Sequence, residues 1–429
     1  MIMNIKNNQK GFVAILIITV IFFLVLGIVL VLSLLIVRQQ KINQDKVASQ
    51  KAYYAAEAGI EDALLKLKED PHIPETNYSF EAGNAAVQIS LSPEIGQSRV
   101  IVSTGNYEGR IRKIETVYEL DASAVSFYYG AQAGEGGIEM GNNAVIKGNV
   151  FSNGSVVAPG GKGGVENSII VANNGNKIEG LTVGGDALAY SCSDCSISGK
   201  LTYVSGGSAG SCSAAGGTFV QPEEIQPEPL PISQGEIDEW KAKAGEGGIL
   251  TDDVVYDGVS GSLGPVQIGT SQDPKDLTVA NGAVLTVKGN IYVTGNINFL
   301  NNSLIKLDQD SYGSLSGVIL ADGNITISNN SVLKGSGEAG SYILILSTSP
   351  SLDAGNPAVS VNNNAAGAIF YTTQGLIYVS NNVLAREITG YKILINNNAE
   401  IKYESGLENA LFSNGPGGGW IVKKWKEAE

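Results

Sequence analysis

Residues 285–307 read LTVKGNIYVTGNINFLNNSLIKL, and this stretch decides the architecture of most of the chain. Leu285, Val287, Ile291, Val293, Ile297, Phe299, Ile305 and Leu307 fall on one side of a two-residue period, while Thr286, Lys288, Tyr292, Thr294, Asn298 and Lys306 fall on the other. Successive side chains of a strand point to opposite faces, so the first set is expected to point inward and the second outward. The punctuation recurs beyond this stretch. Gly-Asn before an apolar residue stands at Gly148-Asn149-Val150, Gly289-Asn290-Ile291, Gly295-Asn296-Ile297 and Gly323-Asn324-Ile325. Asn-Asn, often followed by a base, stands at Asn142-Asn143 with Lys147, Asn301-Asn302 with Lys306, Asn329-Asn330 with Lys334, Asn381-Asn382 with Arg386 and Asn397-Asn398 with Lys402, and Asn363-Asn364 extends the series. From Asn301 on, successive pairs lie 16 to 34 residues apart. This spacing predicts imperfect coils of a right-handed parallel β-helix over residues 123–429, with a β-sandwich as the alternative. Asn tolerates the left-handed backbone that tight corners need, and stacked Asn side chains can hydrogen-bond from coil to coil. Trp420 and Trp425 are expected to close the open end.

Residues 191–248 interrupt this pattern and read as a loop insertion within the solenoid. They hold all three cysteines, Cys192, Cys195 and Cys212. A Cys-x-x-Cys with no second pair and no nearby His cannot complete the usual four-ligand zinc site, so the expectation is a local disulfide pinning a surface loop, with one thiol left over. An acidic, Pro-rich linker follows at 221–231, then a short helix whose Ser233 and Glu236 match a capping box.

On the N-terminal side, the runs 86–91, 99–103 and 111–118 alternate between apolar and polar residues and are separated by Pro93, Gly96, Gly105 and Gly109, which reads as a small antiparallel sheet within 71–122. Residues 38–70 contain no helix breaker before Asp70-Pro71, so a helix is expected from Phe12 to about Glu69. Tyr53, Ala56, Ile60, Leu64 and Leu67 mark one apolar stripe on it that needs a sheet to cover it, and Asp62 with Lys66 forms a favourable four-residue pair.

The first part of that helix is a membrane segment. Phe12 to Val37 run without a charge, long enough to cross about 30 Å of hydrocarbon. The cleavable-looking feature precedes the apolar run: residues 1–11 carry Lys6 and Lys10 and end in Gly11, followed by Phe12. This leader resembles that of type IV prepilins. The resemblance implies cutting after Gly11 on the cytoplasmic side by a prepilin peptidase, methylation of Phe12, and a helix that stays as anchor and filament core. Counting from Phe12, the fifth residue is Leu16, where major pilins carry Glu, which implies a minor or tip subunit. The run Ala52-Tyr53-Tyr54-Ala55-Ala56-Glu57-Ala58-Gly59-Ile60-Glu61 resembles the stretch after the membrane helix in PilX-type pilus assembly proteins, so that Tyr53, Tyr54, Ala56, Glu57, Ala58 and Gly59 form an implied assembly motif. Physically, these small residues permit close approach of another backbone, from a neighbouring subunit or from the protein's own sheet. The basic residues Arg38, Lys41, Lys46 and Lys51 beyond the span run against the positive-inside tendency, but long domains translocate largely regardless of charge.

Composition bounds the chemistry. Beyond residue 51 the chain carries 22 bases and 41 acids, a surface expected to repel nucleic acid. Charged residues make up 16% of the chain and His72 is the single histidine, which leaves little material for acid–base work. Asp308, Asp310 and Asp322 are the carboxylates that neighbouring coils could gather for glycoside cleavage, and Asp308-Gln309-Asp310 begins like a calcium loop without completing one. The expectation is a protein without cofactor, metal or catalysis, embedded in membrane lipid, that associates with pilin-like subunits and presents its solenoid outside for assembly, adhesion, or a surface glycan or protein ligand. The alternatives are a membrane-anchored, bactofilin-like polymerising scaffold and a polysaccharide-active enzyme.

Overall fold

The computed structural model describes residues 9–69, 73, 75–93, 98–120, 122–413 and 420–428. Two compact units emerge, one made of 1–119 with 422–429 and the other of 120–421. The larger unit is thus inserted into the smaller one rather than appended to it.

In the first unit a helix, α1 (Gln9–Glu69), is followed by four antiparallel strands, β1 (Thr76–Ala82), β2 (Ala85–Leu91), β3 (Ser98–Tyr107) and β4 (Arg110–Leu120). The β1–β2 turn is Gly83-Asn84 and the β3–β4 turn is Glu108-Gly109, all with positive φ, the backbone that two-residue hairpins demand. Strand β2 alternates strictly, with Val87, Ile89 and Leu91 buried and the residues between them exposed. Strand β1 was not among the expected runs. The fifth strand of this sheet is the C-terminal segment Trp420–Ala428, which lies beside β4. The expectation that Trp420 and Trp425 close the solenoid is therefore corrected: Val422–Ala428 extend the first unit's sheet instead. A sheet edge presents unpaired N–H and C=O groups, and a returning strand satisfies them. The expected helix stop Asp70-Pro71, leader residues 1–8 and Gly419 lie outside the described residues.

The second unit is a large β-rich body of stacked parallel strands, three to a coil. The coil at 291–307 shows the plan: Ile291–Val293 pairs in parallel with Ile319–Ala321 of the next coil, Ile297–Phe299 with Ile325–Ile327, and Leu304–Lys306 with Val332–Lys334. The expected inward residues Leu285, Val287, Ile291, Val293, Ile297, Phe299, Ile305 and Leu307 are all buried in one continuous core. Of the expected outward set, Tyr292 and Thr294 are buried.

Stacking order is not chain order. The chain starts with a coil at 131–147 and stacks away from it through 150–165, 169–183, 187–197 and 201–214 to the strand Thr218–Gln221. It then returns along residues 222–248, begins again at 249–263, and stacks coil upon coil until the last, 387–402, pairs with the first: Ile393 with Ile138, and Ile401 with Ile146. The entry strand Ala122–Val125 and exit strand Ala410–Ser413 consequently meet as an antiparallel pair, which is what allows the unit to sit inside another sheet's sequence. The expected insertion 191–248 is corrected in the same way: residues 191–221 are coils, and only 222–248 are a connection. Within it, α2 (Gln234–Glu246) carries the expected capping box at Ser233 and Glu236 and buries Ile237, Trp240 and Ala244 in a second core with Val318, Leu344 and Phe412.

The Asn pairs are the corners. Asn301, Asn302, Asn329, Asn330, Asn363, Asn364, Asn381, Asn382, Asn397 and Asn398 all have φ between 50° and 63°. Their side chains form two ladders that donate from coil to coil, for example Asn329 to Asn301 at 2.8 Å, Asn330 to Asn302 at 3.1 Å and Asn381 to Asn363 at 3.0 Å. The ladders cross the seam between last and first coils, with Asn143 donating to Asn398 at 3.0 Å.

Candidate functional site

Helix α1 has 61 residues, roughly 90 Å at 1.5 Å per residue, and divides into two chemically different halves. Its large apolar residues from Phe12 to Val37 are uniformly exposed, and it is the one helix among the described residues long and apolar enough to cross a membrane. Gly11 and Phe12, expected to carry processing, lie in the first turns of this helix. Leu16 is exposed with its apolar neighbours, so no carboxylate stands at that position.

The second half is covered by the first unit's own sheet. Ala52, Ala56, Ile60 and Leu67 are fully buried and Ala55 and Ala63 nearly so, while Tyr53 and Leu64 of the expected stripe are half-buried. The small residues are there because the backbones nearly touch. A Cβ on Gly105 of β3 would lie 2.1 Å from the carbonyl oxygen of Ala52, and one on Gly59 would lie 2.2 Å from Ser103 Oγ. Of the motif, Ala56 and Gly59 therefore serve internal packing, Glu57 and Ala58 sit half-buried at its margin, and Tyr54, 65% exposed, faces away. The Asp62–Lys66 pair forms at 2.9 Å and is tied to β1, since the Tyr78 hydroxyl donates to Asp62 at 2.7 Å and Lys66 lies 3.6 Å from the Tyr78 ring centre. Burial pushes the Asp62 carboxyl up, but the hydrogen bonds from Lys66 and Tyr78 outweigh it and hold the group below its ordinary value.

The carboxylates weighed for catalysis are committed elsewhere. Asp308 caps the short helix Gln309–Tyr312 through the Ser311 N–H, and Asp310 lies exposed in its first turn. Asp322 accepts from Lys241 at 2.5 Å, from Tyr292 at 2.5 Å and from Thr348 at 2.9 Å. Burial raises the Asp322 carboxyl, yet these donors bring it below its ordinary value, leaving a structural anion that fastens α2 to the coils. Glu387 is the opposite case: fully buried, with only the Thr389 hydroxyl donating to it among the described residues, at 2.5 Å, its carboxyl is pushed well up by desolvation.

The three cysteines converge, their sulfurs lying within 4.8 Å of one another. Cys192 and Cys212 form the disulfide, and Cys195 is free and buried. The pinned-loop expectation is corrected here, because Cys192 points into the solenoid core and the bridge staples two successive coils. Burial raises the Cys195 thiol, which donates to the Ser193 carbonyl at 3.2 Å, so it is a poor nucleophile.

The ion pairs of the C-terminal strand were not legible beforehand. Lys426 meets Glu115 at 2.8 Å and Arg112 meets Glu427 at 2.9 Å, which pins the strand to β4.

No family model and no curated protein matches this chain. Among solved structures it is similar to the competence-associated pilin ComZ from Thermus thermophilus, with 11% identity over 89% of this chain and 97% of that one at a TM-score of 0.24. It is also similar to an ice binding protein from an Antarctic bacterium, Flavobacteriaceae, with 12% identity over 64% of this chain and 81% of that one at a TM-score of 0.23. Likenesses this loose carry no argument about what the chain does.

Proposed function

We propose that this chain is a minor or tip subunit of a type IV pilus or pseudopilus, anchored by α1 and carrying the coiled unit outside the cell for assembly or adhesion. The observation that supports this reading best is the division of one continuous helix into an uncovered apolar half and a half packed through Ala52, Ala56 and Gly59 against an antiparallel sheet. An anchor alone needs only the first half. A subunit that docks helix against helix needs the whole rod, with a rigid sheet holding its far end. The PilX-type assignment rests on the leader and on residues 52–61. The coils are read as right-handed, by the chirality that governs parallel crossovers. The protein is read as non-catalytic, since Asp308 and Asp322 are spent on a helix cap and an ion pair.

A bactofilin-like scaffold is the second reading, favoured by the end of the stack at 249–263, where Val255 and Val259 are exposed on an edge that another copy could extend. Protease treatment of intact cells separates the two. External digestion of the coiled unit supports the pilin reading, whereas full protection until the cells are lysed supports a cytoplasmic scaffold.

A further inference from the structure

One face of the coiled unit carries a column of bases that folding does not require. Lys306 lies directly opposite Lys334 in the neighbouring parallel strand, and Lys402 lies directly opposite Lys147. Like charges in such register repel and weaken a sheet, and coils stack about 4.8 Å apart. Arg386 occupies the coil before Lys402, two residues beyond the Leu384–Glu400 pair. Lys147 pairs with Glu400 at 3.0 Å, and Arg386 pairs with Glu404. Lys306, Lys334 and Lys402 are exposed and have no acid partner among the described residues. The column skips one coil, at Ala368 between Lys334 and Arg386, and two of its five bases, Arg386 and Lys147, carry an acid partner.

Beside the bases runs a second outward column in strict register, Leu304 with Val332 and then, through Ala366, Leu384, which is 44% exposed. On the far side of that column stand the Asn ladders, whose amides edge the same face. From Leu304 to Leu384 the face therefore offers three parallel tracks, amide, aliphatic and cationic, and in the coil of Lys402 the aliphatic position is taken by Glu400.

We infer that this face binds a linear acidic polysaccharide laid along the stacking axis, its sugar rings on the aliphatic column, its hydroxyls toward the amides and its carboxylates on Lys306, Lys334 and Lys402. An extended glycan places charge, apolar ring face and hydroxyls in separate lines along one direction, as the three tracks do. Single-stranded nucleic acid also has a charged backbone, but its recognition uses aromatic platforms for the bases, and the columns here carry aliphatic side chains. The acidic background confines the attraction to the column itself and makes it sensitive to salt, since the screening length is about 10 Å at 0.1 M. This inference stands independently of whether the helix enters a filament.

The test is titration of the full chain in detergent micelles with an oligogalacturonate of defined length at low salt, beside neutral dextran and an oligothymidylate of equal charge. The oligogalacturonate should bind and the dextran should not. K306E/K334E/K402E should lose about tenfold or more in affinity, equivalent to about 1.4 kcal/mol, and K306Q/K334Q/K402Q should lose less without a fall in melting temperature. Unchanged oligogalacturonate affinity in the Glu and Gln variants, equal binding of dextran, or no binding at all would overturn the inference. Oligothymidylate binding as tightly as oligogalacturonate, with the same loss in the variants, would overturn it in favour of nucleic acid.

Discussion

The two halves of the coiled unit solve the same problem with different chemistry. From 291 to 402 the corners are Asn pairs held in left-handed geometry and tied coil to coil by amide ladders. From 150 to 221 the ladders are absent among the described residues, and corners such as Gly160-Gly161 and Gly206 take positive φ without a side chain to link them. There the outermost coils are joined by the Cys192–Cys212 bridge. Glycine lets the corner form but adds nothing between coils, and it leaves more entropy to the unfolded chain. A half built on glycine therefore needs a covalent staple that the half built on asparagine does not.

Breaking the second core should cost most. Trp240 is fully buried in the second core, with its ring centre 5.9 Å from that of Phe412 in the exit strand. Trp240→Ala should cost about 3–5 kcal/mol and loosen first the coils from 291 on, whose Tyr292, Val318 and Leu344 line that core, read by hydrogen exchange of the full chain. Replacing Cys192 and Cys212 by Ser should come next. The bridge closes a separation of 20 residues, and its loss should cost roughly 3 kcal/mol. Hydrogen exchange should speed up in 187–221 while 291–402 keeps its protection, and uniform loss across both would contradict the division of labour. Asn330→Ala should cost about 1–2 kcal/mol through strain at φ 62° and two broken ladder bonds, whereas Asn330→Gly relieves the strain and isolates the ladder at about 1 kcal/mol.

The smallest effect lies at the seam, where Glu387 precedes the Ile388–Ala131 pairing of last and first coils. Its carboxyl is held well above its ordinary value in the folded protein, so between that ordinary value and the raised one the folded state keeps a proton that the unfolded state has released. Stability should therefore fall as pH rises through this window. Melting curves of Glu387→Gln should lose this part of the slope, and parallel slopes in the two proteins would show that Glu387 does not titrate as described.

Legibility followed the same divide. The Asn corners are visible because one residue type recurs where the backbone is strained, and the inward face of 285–307 follows directly from period two. Residues 191–221 were harder to read because Gly, Ser and Ala carry little hydrophobic alternation: Ser191, Ser193 and Ser196 sit on strands whose inward anchors are Cys192 and Ile197, with Cys195 buried between them. In the first unit, the stripe on α1 and the Asp62–Lys66 pair were local and readable. The return of Trp420–Ala428 to β4 was not, since pairing across some 300 residues leaves no periodic trace. Nor was the closure of residues 387–402 onto 131–147, because a parallel strand looks the same whether its neighbour precedes it or comes far later. The basic column was partly visible as the base that follows most Asn pairs, but its register needed the stacking order.

The mass of the N-terminal peptide of protein extracted from membranes tests the central claim most directly. A chain beginning at a methylated Phe12 is the predicted result, because only a subunit handled as a pilin keeps the apolar rod after losing the basic residues before it. A chain that still begins at Met1 would contradict the account and reduce α1 to a simple anchor.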